Sequence, residues 1–228
     1  MKAYRVHEYG DTAKFVKDEV NKPIAKKGHV VIEVKASSLN PIDHKLLKSD
    51  LGINPGLPGI LHMDVAGVIT EVGEEVTAFK VGDDIYGCAG GLQGEAGLIQ
   101  GALADFMPVD SNLISLKPKS LSFAESAALP LVTITAWEGL FDRASIKKDD
   151  HILVHGGAGG VGHVAIQLAR QHGARIATTV SSEDKAKVAR ELGAEDIVFY
   201  PKEKVKDYTQ RLTKGKGFDV VFDTIGAD

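Results

Sequence analysis

Residues His151 to Arg170 run HILVHGGAGGVGHVAIQLAR, and the rest of the chain is laid out around them. Ile152, Leu153 and Val154 form the short apolar run of a strand buried in a parallel sheet. Gly156, Gly157, Gly159, Gly160 and Gly162 follow. Val161, Ala165, Leu168 and Ala169 then recur at helical spacing on one face. A strand, a glycine turn and a helix in that order are the context that gives GxGxxG its meaning. Gly157, Gly159 and Gly162 take its fixed positions, for a tight turn, close approach to a pyrophosphate and close helix–strand packing. The backbone from Gly157 through Ala158, Gly159, Gly160, Val161 and Gly162 is therefore expected to meet the phosphates of a dinucleotide.

Toward the C-terminus the same rhythm repeats. Arg175–Val180 reads as a second strand, Glu183–Leu192 as a charged helix stopped at Gly193, and Asp196–Tyr200 as a third strand. Val205–Thr213 reads as a helix and Phe218–Thr224 as a fourth strand. Alternating strands and helices predict a doubly wound parallel sheet. A sheet of order 3-2-1-4-5-6 needs two more strands. The expectation is thus of a fragment or a shortened record, with the sheet incomplete.

Toward the N-terminus the character changes. Ala3–Val6, His29–Lys35, Val65–Val72 and Asp84–Gly87 read as strands between dense turn signals, including Asn40-Pro41 and Asn54-Pro55-Gly56. Many short strands with such turns predict a partly open β-barrel. Residues 89–104 read as a loop near a cleft. Ser122 with Glu125 forms a capping box, Pro130 is expected to break that helix, and a second helix is expected over Thr133–Arg143. The fold class is α/β: a barrel domain over 1–122 and a dinucleotide domain over 123–228.

A net charge of −4 implies no pull toward nucleic acid, and no apolar run suffices to span a membrane. The N-terminus MKAYRVHEYG has no signal-peptide core. Cys88 is the only cysteine, which excludes an intrachain disulfide and favours a reducing cytoplasm.

These residues carry a resemblance. The chain resembles the medium-chain dehydrogenase/reductase superfamily, in its zinc-independent quinone oxidoreductase (zeta-crystallin-like) branch. The match is strongest over His155–Arg170, with Gly156–Gly162 (GGAGGVG) and Gln167. Asn40-Pro41-Ile42-Asp43, Val81-Gly82-Asp83, Ala128-Leu129-Pro130 and Thr135-Ala136 fit as well. The resemblance implies a GroES-like barrel, a Rossmann domain, a C-terminal return to the barrel beyond this sequence, and a homodimeric full-length form.

Zinc-dependent relatives carry a cysteine and a Gly-His-Glu motif in the barrel. Asn40 and Met63 stand where a thiolate and an imidazole are needed, so no metal is expected. His62 is expected to be a polar cleft or surface residue.

An NAD-selective site places an acid at the end of the second strand. The family's acid falls at about Val180, so NADPH is favoured over NADH. Ser181 and Ser182 can donate hydrogen bonds. Lys185 matches a family lysine and Tyr200 a tyrosine covering the adenosine end. Glu183 is the residue that could still serve NADH.

Hydride delivery without zinc suits a quinone or an α,β-unsaturated carbonyl, which spreads charge onto its own oxygen. The resemblance places Asn40 and Asp43 beside the nicotinamide, with His44 as a substrate contact and Thr135 at the nicotinamide side. Plainer roles stand beside these: Asp43 as a cap, His44 in a polar cleft or on the surface, Thr135 bonded within its helix, Lys185 solvated. Tyr86, Cys88 and Trp137 are expected in the core. An alcohol dehydrogenase with an unusual site, and an NADPH-binding protein without turnover, remain as alternatives.

Overall fold

The structure is a computed structural model that describes residues 1–94 and 97–226. The chain divides into two compact units, Met1–Leu131 and Val132–Asp228.

The first unit opens with the antiparallel pair β1 (Lys2–Val6) and β2 (Phe15–Glu19). It continues through β3 (His29–Ser37), α1 (Pro41–Lys48), β4 (Asp64–Val72) and β5 (Asp84–Cys88). The short hairpin strands β6 (Leu92–Gly94) and β7 (Gly97–Ile99) follow, then β8 (Phe106–Asp110), β9 (Ile114–Leu116) and α2 (Phe123–Ala127). Five strands form an antiparallel sheet of order β8-β3-β4-β5-β9 around Val30, Ile32, Val65, Ile69, Ile85, Met107 and Val109. Val30, Val31 and Ile32 are buried in succession, as are Asp64 to Gly67, so both faces of the central strands are covered. The β3–β4 register shifts between Val31 and Ile32 and between Val34 and Ala36. Such bulges bend a sheet toward closure. A Cβ on Gly67 would lie 2.3 Å from the Glu33 carbonyl oxygen, so only glycine permits this strand approach.

Two local expectations change. Asn40-Pro41, read as a turn, is the start of α1: Asn40 is the N-cap and Pro41 takes the first helical position, where its missing N–H costs nothing. The expected loop over 89–104 contains the β6–β7 pair; residues 95 and 96 lie outside the described residues.

α3 (Pro130–Trp137) begins at the proline expected only to end a helix, and six residues of π-helix, Glu138–Arg143, continue it. Ser122 and Glu125 form the predicted capping box ahead of α2. In the second unit come β10 (His151–His155), α4 (Gly160–His172), β11 (Arg175–Val180), α5 (Glu183–Leu192), β12 (Asp196–Phe199), α6 (Val205–Thr213) and β13 (Val220–Asp223). The four strands are parallel in the order β12-β11-β10-β13, which is 3-2-1-4 of a doubly wound sheet. Its core joins Ile152, Val154, Ile166 and Ile176, each fully buried. Burial of each such side chain contributes about 2 kcal/mol before the entropy of ordering is subtracted. Gly173 and Gly193 end α4 and α5 in the left-handed conformation.

Candidate functional site

The glycine turn lies at the C-terminal ends of β10 and β11, where open α/β sheets hold ligands. The positive backbone angle falls on Gly156, with φ 71°, one residue before the first fixed glycine of the motif. Gly157 is glycine for packing: a Cβ there would lie 2.1 Å from Thr178 Oγ1. A Cβ on Gly162 would lie 2.2 Å from the Gly156 carbonyl oxygen, so the helix meets the turn backbone to backbone. Gly159 is the N-cap of α4 and supplies no side-chain bond. The first N–H groups of the helix, at Gly160, Val161 and Gly162, thus have neither a side-chain cap nor an intrahelical acceptor. They suit an anion.

A cavity of ≈ 130 Å³ adjoins this turn, lined by Gly156, Ala158, Gly159, Thr179, Val180, Ser181, Lys185, Tyr200 and Ile225. Of the predicted residues it gathers Ala158, Gly159, Ser181, Lys185 and Tyr200. Ser182 faces elsewhere: it caps α5 by accepting from the Lys185 amide at 3.4 Å. Val180 is buried at the strand end, with no carboxylate in the cavity wall. Glu183 pairs with Arg190 at 3.8 Å and is not part of that wall. A larger cavity of ≈ 510 Å³ along Thr133, Ile134, Trp137, Glu138, Asp142 and Arg143 joins its own charges, Arg143 to Glu138 at 2.8 Å. Trp137, expected in the core, is 49% exposed and packs on Phe141. Thr135 is on the exposed side of α3.

In the first unit the predicted Asn40 and Asp43 belong to a buried polar network centred on a residue the sequence did not single out, Asp64. Asp64 is fully buried. Its Oδ2 accepts from Ser38 Oγ at 2.7 Å and Asn40 Nδ2 at 2.9 Å, and its Oδ1 from the Leu131 amide at 2.9 Å. The Cys88 thiol is a further donor. Burial raises the Asp64 pKa, and these donors oppose the rise. Asp43 Oδ2 accepts from the Asn40 amide at 2.8 Å, which is its capping role. Asp43 Oδ1 is buried without a hydrogen-bond partner among the described residues. Burial raises the Asp43 pKa; the Asn40 amide and the His62 imidazole pull it down, Asp64 pushes it up, and the His62 amide, outside strict hydrogen-bond geometry, lowers it slightly.

Burial lowers the His62 pKa, against the attraction of Asp43 and Asp64, and its Nδ1 lies 2.8 Å from Ser37 Oγ. His62 is therefore half-buried and polar, near Asp43 and Asp64, which departs from the surface alternative of the expectation and leaves the cleft alternative standing. Burial beside Asp64 pushes the Cys88 thiol up to about 12, so it is the inert kind of cysteine. His44 is on the exposed face of α1. The signal for Asp64 was present in His62-Met63-Asp64: an acid opening an apolar strand is costly unless it is paired.

Both Asn40 amide hydrogens are engaged, with Ser38 and Asp64, and Met63 offers only a thioether. This donor set does not match the thiolate and imidazole chemistry of a zinc site. No group of three or more His, Cys, Asp or Glu among the described residues is arranged to hold a metal ion.

The alcohol dehydrogenase GroES-like domain model matches residues 26–119, and the model described as zinc-binding dehydrogenase matches 160–228. An alcohol dehydrogenase superfamily protein from Novosphingobium aromaticivorans superposes with a TM-score of 0.91 at 39% identity, covering 100% of this chain and 67% of that one. The chain belongs to the medium-chain dehydrogenase/reductase superfamily. Its place in the quinone oxidoreductase branch of that superfamily follows from the quinone oxidoreductase of Coxiella burnetii, at TM-score 0.81 and 32% identity, covering 100% of this chain and 69% of that one. An Escherichia coli quinone oxidoreductase complexed with NADPH is also similar, at TM-score 0.85 and 29% identity over 100% of this chain and 67% of that one. A 2-methylene-furan-3-one reductase of Solanum lycopersicum is 40% identical over 99% of the chain and 57% of its own length. An NADPH-dependent alkenal/one oxidoreductase of Arabidopsis thaliana, chloroplastic, is 37% identical over 99% and 58%. The chain thus spans less than two thirds of the length of these two medium-chain relatives. Among its described residues no helix is long and apolar enough to cross a membrane.

Proposed function

We propose that this chain carries the cofactor site of an NADPH-dependent oxidoreductase that reduces a quinone or an α,β-unsaturated carbonyl without zinc. The observation that carries the proposal is the end of β11: Val180 stands at the acid's place, while Ser181, Lys185 and Tyr200 line the adjoining cavity. Lys185 would face a 2′-phosphate as a cation and Ser181 as a hydrogen-bond donor. A carboxylate in the same wall would repel that phosphate. Tyr200 is 60% exposed, as suits a ring that covers an adenosine from outside. The helix opening at Gly160, Val161 and Gly162 would receive the pyrophosphate. The names of the Arabidopsis and Escherichia coli proteins support the same choice of cofactor.

Bound NADPH supplies a hydride. The residues of this chain bind, orient and manage protons. Thr135 serves the nicotinamide side and Asn40 stays fixed by its bonds to Ser38 and Asp64. Asp43 is the acid of the network suited to hold a proton, because one oxygen lacks a donor and burial favours its neutral form. His44, exposed on α1, contacts the acceptor. A homodimer belongs to the same proposal, as does a reducing compartment, which the lone cysteine supports.

The test is titration of the purified protein with NADPH and NADH, followed by cofactor consumption with enals, enones and quinones and a zinc determination. NADPH binds more tightly than NADH, and Lys185→Gln removes about a tenfold share of that preference. Equal affinities, or stoichiometric zinc needed for turnover, would overturn the proposal.

A further inference from the structure

Three threonine hydroxyls bear on three successive residues where β10 ends. Thr178 Oγ1 donates to the Val154 carbonyl at 2.7 Å. Thr224 Oγ1 donates to the His155 carbonyl at 2.6 Å. Thr179 Oγ1 accepts from the Gly156 amide at 3.1 Å and lies 3.3 Å from His155 Nδ1. Thr178 and Thr179 are 0% and 3% exposed, so their bonds are sheltered from competing water.

The ladders explain why hydroxyls are needed there. β10 pairs with β11 only as far as Val154 with Thr178, and with β13 only as far as His155 with Asp223. Beyond those pairs the turn has no strand partner to hold it. Threonine side chains from one flank and from the residue after β13 on the other take over where the ladders stop. They grip a segment that contains Gly156, in the left-handed conformation open to glycine, and leads directly to the phosphate-facing amides. Donors aimed in advance bind an anion without paying to order themselves first.

We propose that Thr179, with Thr178 and Thr224, is a positioning residue that holds the glycine turn in its anion-binding shape. This rests on the cofactor proposal above. The pyrophosphate is common to NADPH and NADH, so loss of the Thr179 hydroxyl weakens both cofactors by the same factor. Lys185 acts on the 2′-phosphate alone, so its loss changes their ratio.

The experiment compares wild type, Thr179→Val, Thr179→Ser and Lys185→Gln for NADPH and NADH affinity, with hydrogen exchange of the amides over 155–162 in the free proteins. Thr179→Val raises both dissociation constants about five- to tenfold with their ratio unchanged, and it speeds exchange over 155–162. Thr179→Ser, which keeps the hydroxyl, restores both. Should Thr179→Val fail to fold, Thr224→Val removes the bond on the other flank and is expected to give the same equal loss. Wild-type affinity and exchange in the valine variant, a changed cofactor ratio, or no rescue by serine would overturn the proposal alone. Wild-type protein that binds neither cofactor would overturn the cofactor proposal and this one with it.

Discussion

The glycine turn of the second unit and the Asp64 network of the first hold polar groups in opposite ways. In the turn, side chains are removed so that backbone can approach backbone; a Cβ at Gly162 would stand 2.2 Å from the Gly156 oxygen. In the network, a carboxyl group is kept in a fully buried place and donors are gathered around it from Ser38, Asn40 and Leu131. The glycines of the turn are adjacent in sequence and fail by crowding, while distant threonines brace the backbone around them. The network is built from distant residues and fails by losing a partner.

The largest effect expected is at the turn. Gly162→Val places a branched side chain against backbone that cannot yield, which costs about 3 kcal/mol and removes measurable cofactor binding. Thermal unfolding and titration read the two effects, and a variant that binds NADPH normally would break the contrast. The next effect concerns the network's reactivity. A rise of the Cys88 thiol from 9.0 to about 12 leaves about a thousandfold less thiolate at neutral pH. Iodoacetamide is therefore expected to label Cys88 about a thousandfold more slowly in the native protein than after unfolding. Labelling at the unfolded rate would show that the network does not shelter it.

A smaller effect follows from the Asp64 carboxylate. Asp64→Asn turns one acceptor into a donor facing Ser38 and Asn40 or the Leu131 amide, and is expected to cost about 2 kcal/mol in urea unfolding.

The smallest effect is a slope with pH. Burial raises the Asp43 pKa above 3.8, so the folded protein binds that proton more tightly than the unfolded chain does. Its contribution to stability is fully present below 3.8 and is lost as pH rises through the folded value. Asp43→Asn removes that loss. The stability difference between variant and wild type therefore shifts in favour of the variant as pH rises above about 4, then levels off. His62 acts oppositely, its contribution present above 6.5 and lost as pH falls through its lowered folded value. Unfolding curves from pH 4 to 8 for both proteins measure the slope, and a slope of the other sign would contradict the burial of Asp43.

The second unit was legible because its signals are local. The strand, the glycines and the amphipathic helix of residues 151–170 follow one another along the chain, and periodicity suffices to name them. The later helices Glu183–Leu192 and Val205–Thr213 have the predicted bounds, since Ser182 and Gly193 close the first and the apolar face fixes the second. The first unit was less legible. α1 was masked because Asn40-Pro41 serves equally as a turn or as a helix start, and only the Asp43 carboxylate on the Asn40 amide distinguishes them.

The chain's order of residues was enough to determine the parallel α/β half and the glycine turn that opens its first helix, because each depends on residue type at a fixed local spacing. Folding in three dimensions decided the rest. It put the positive φ on Gly156, turned Glu183 toward Arg190 and away from the cavity, and made Asp64 the centre of a network. Those outcomes depend on which distant groups meet in a space without water, and partners such as Asp64 and Leu131 are 67 residues apart in the chain.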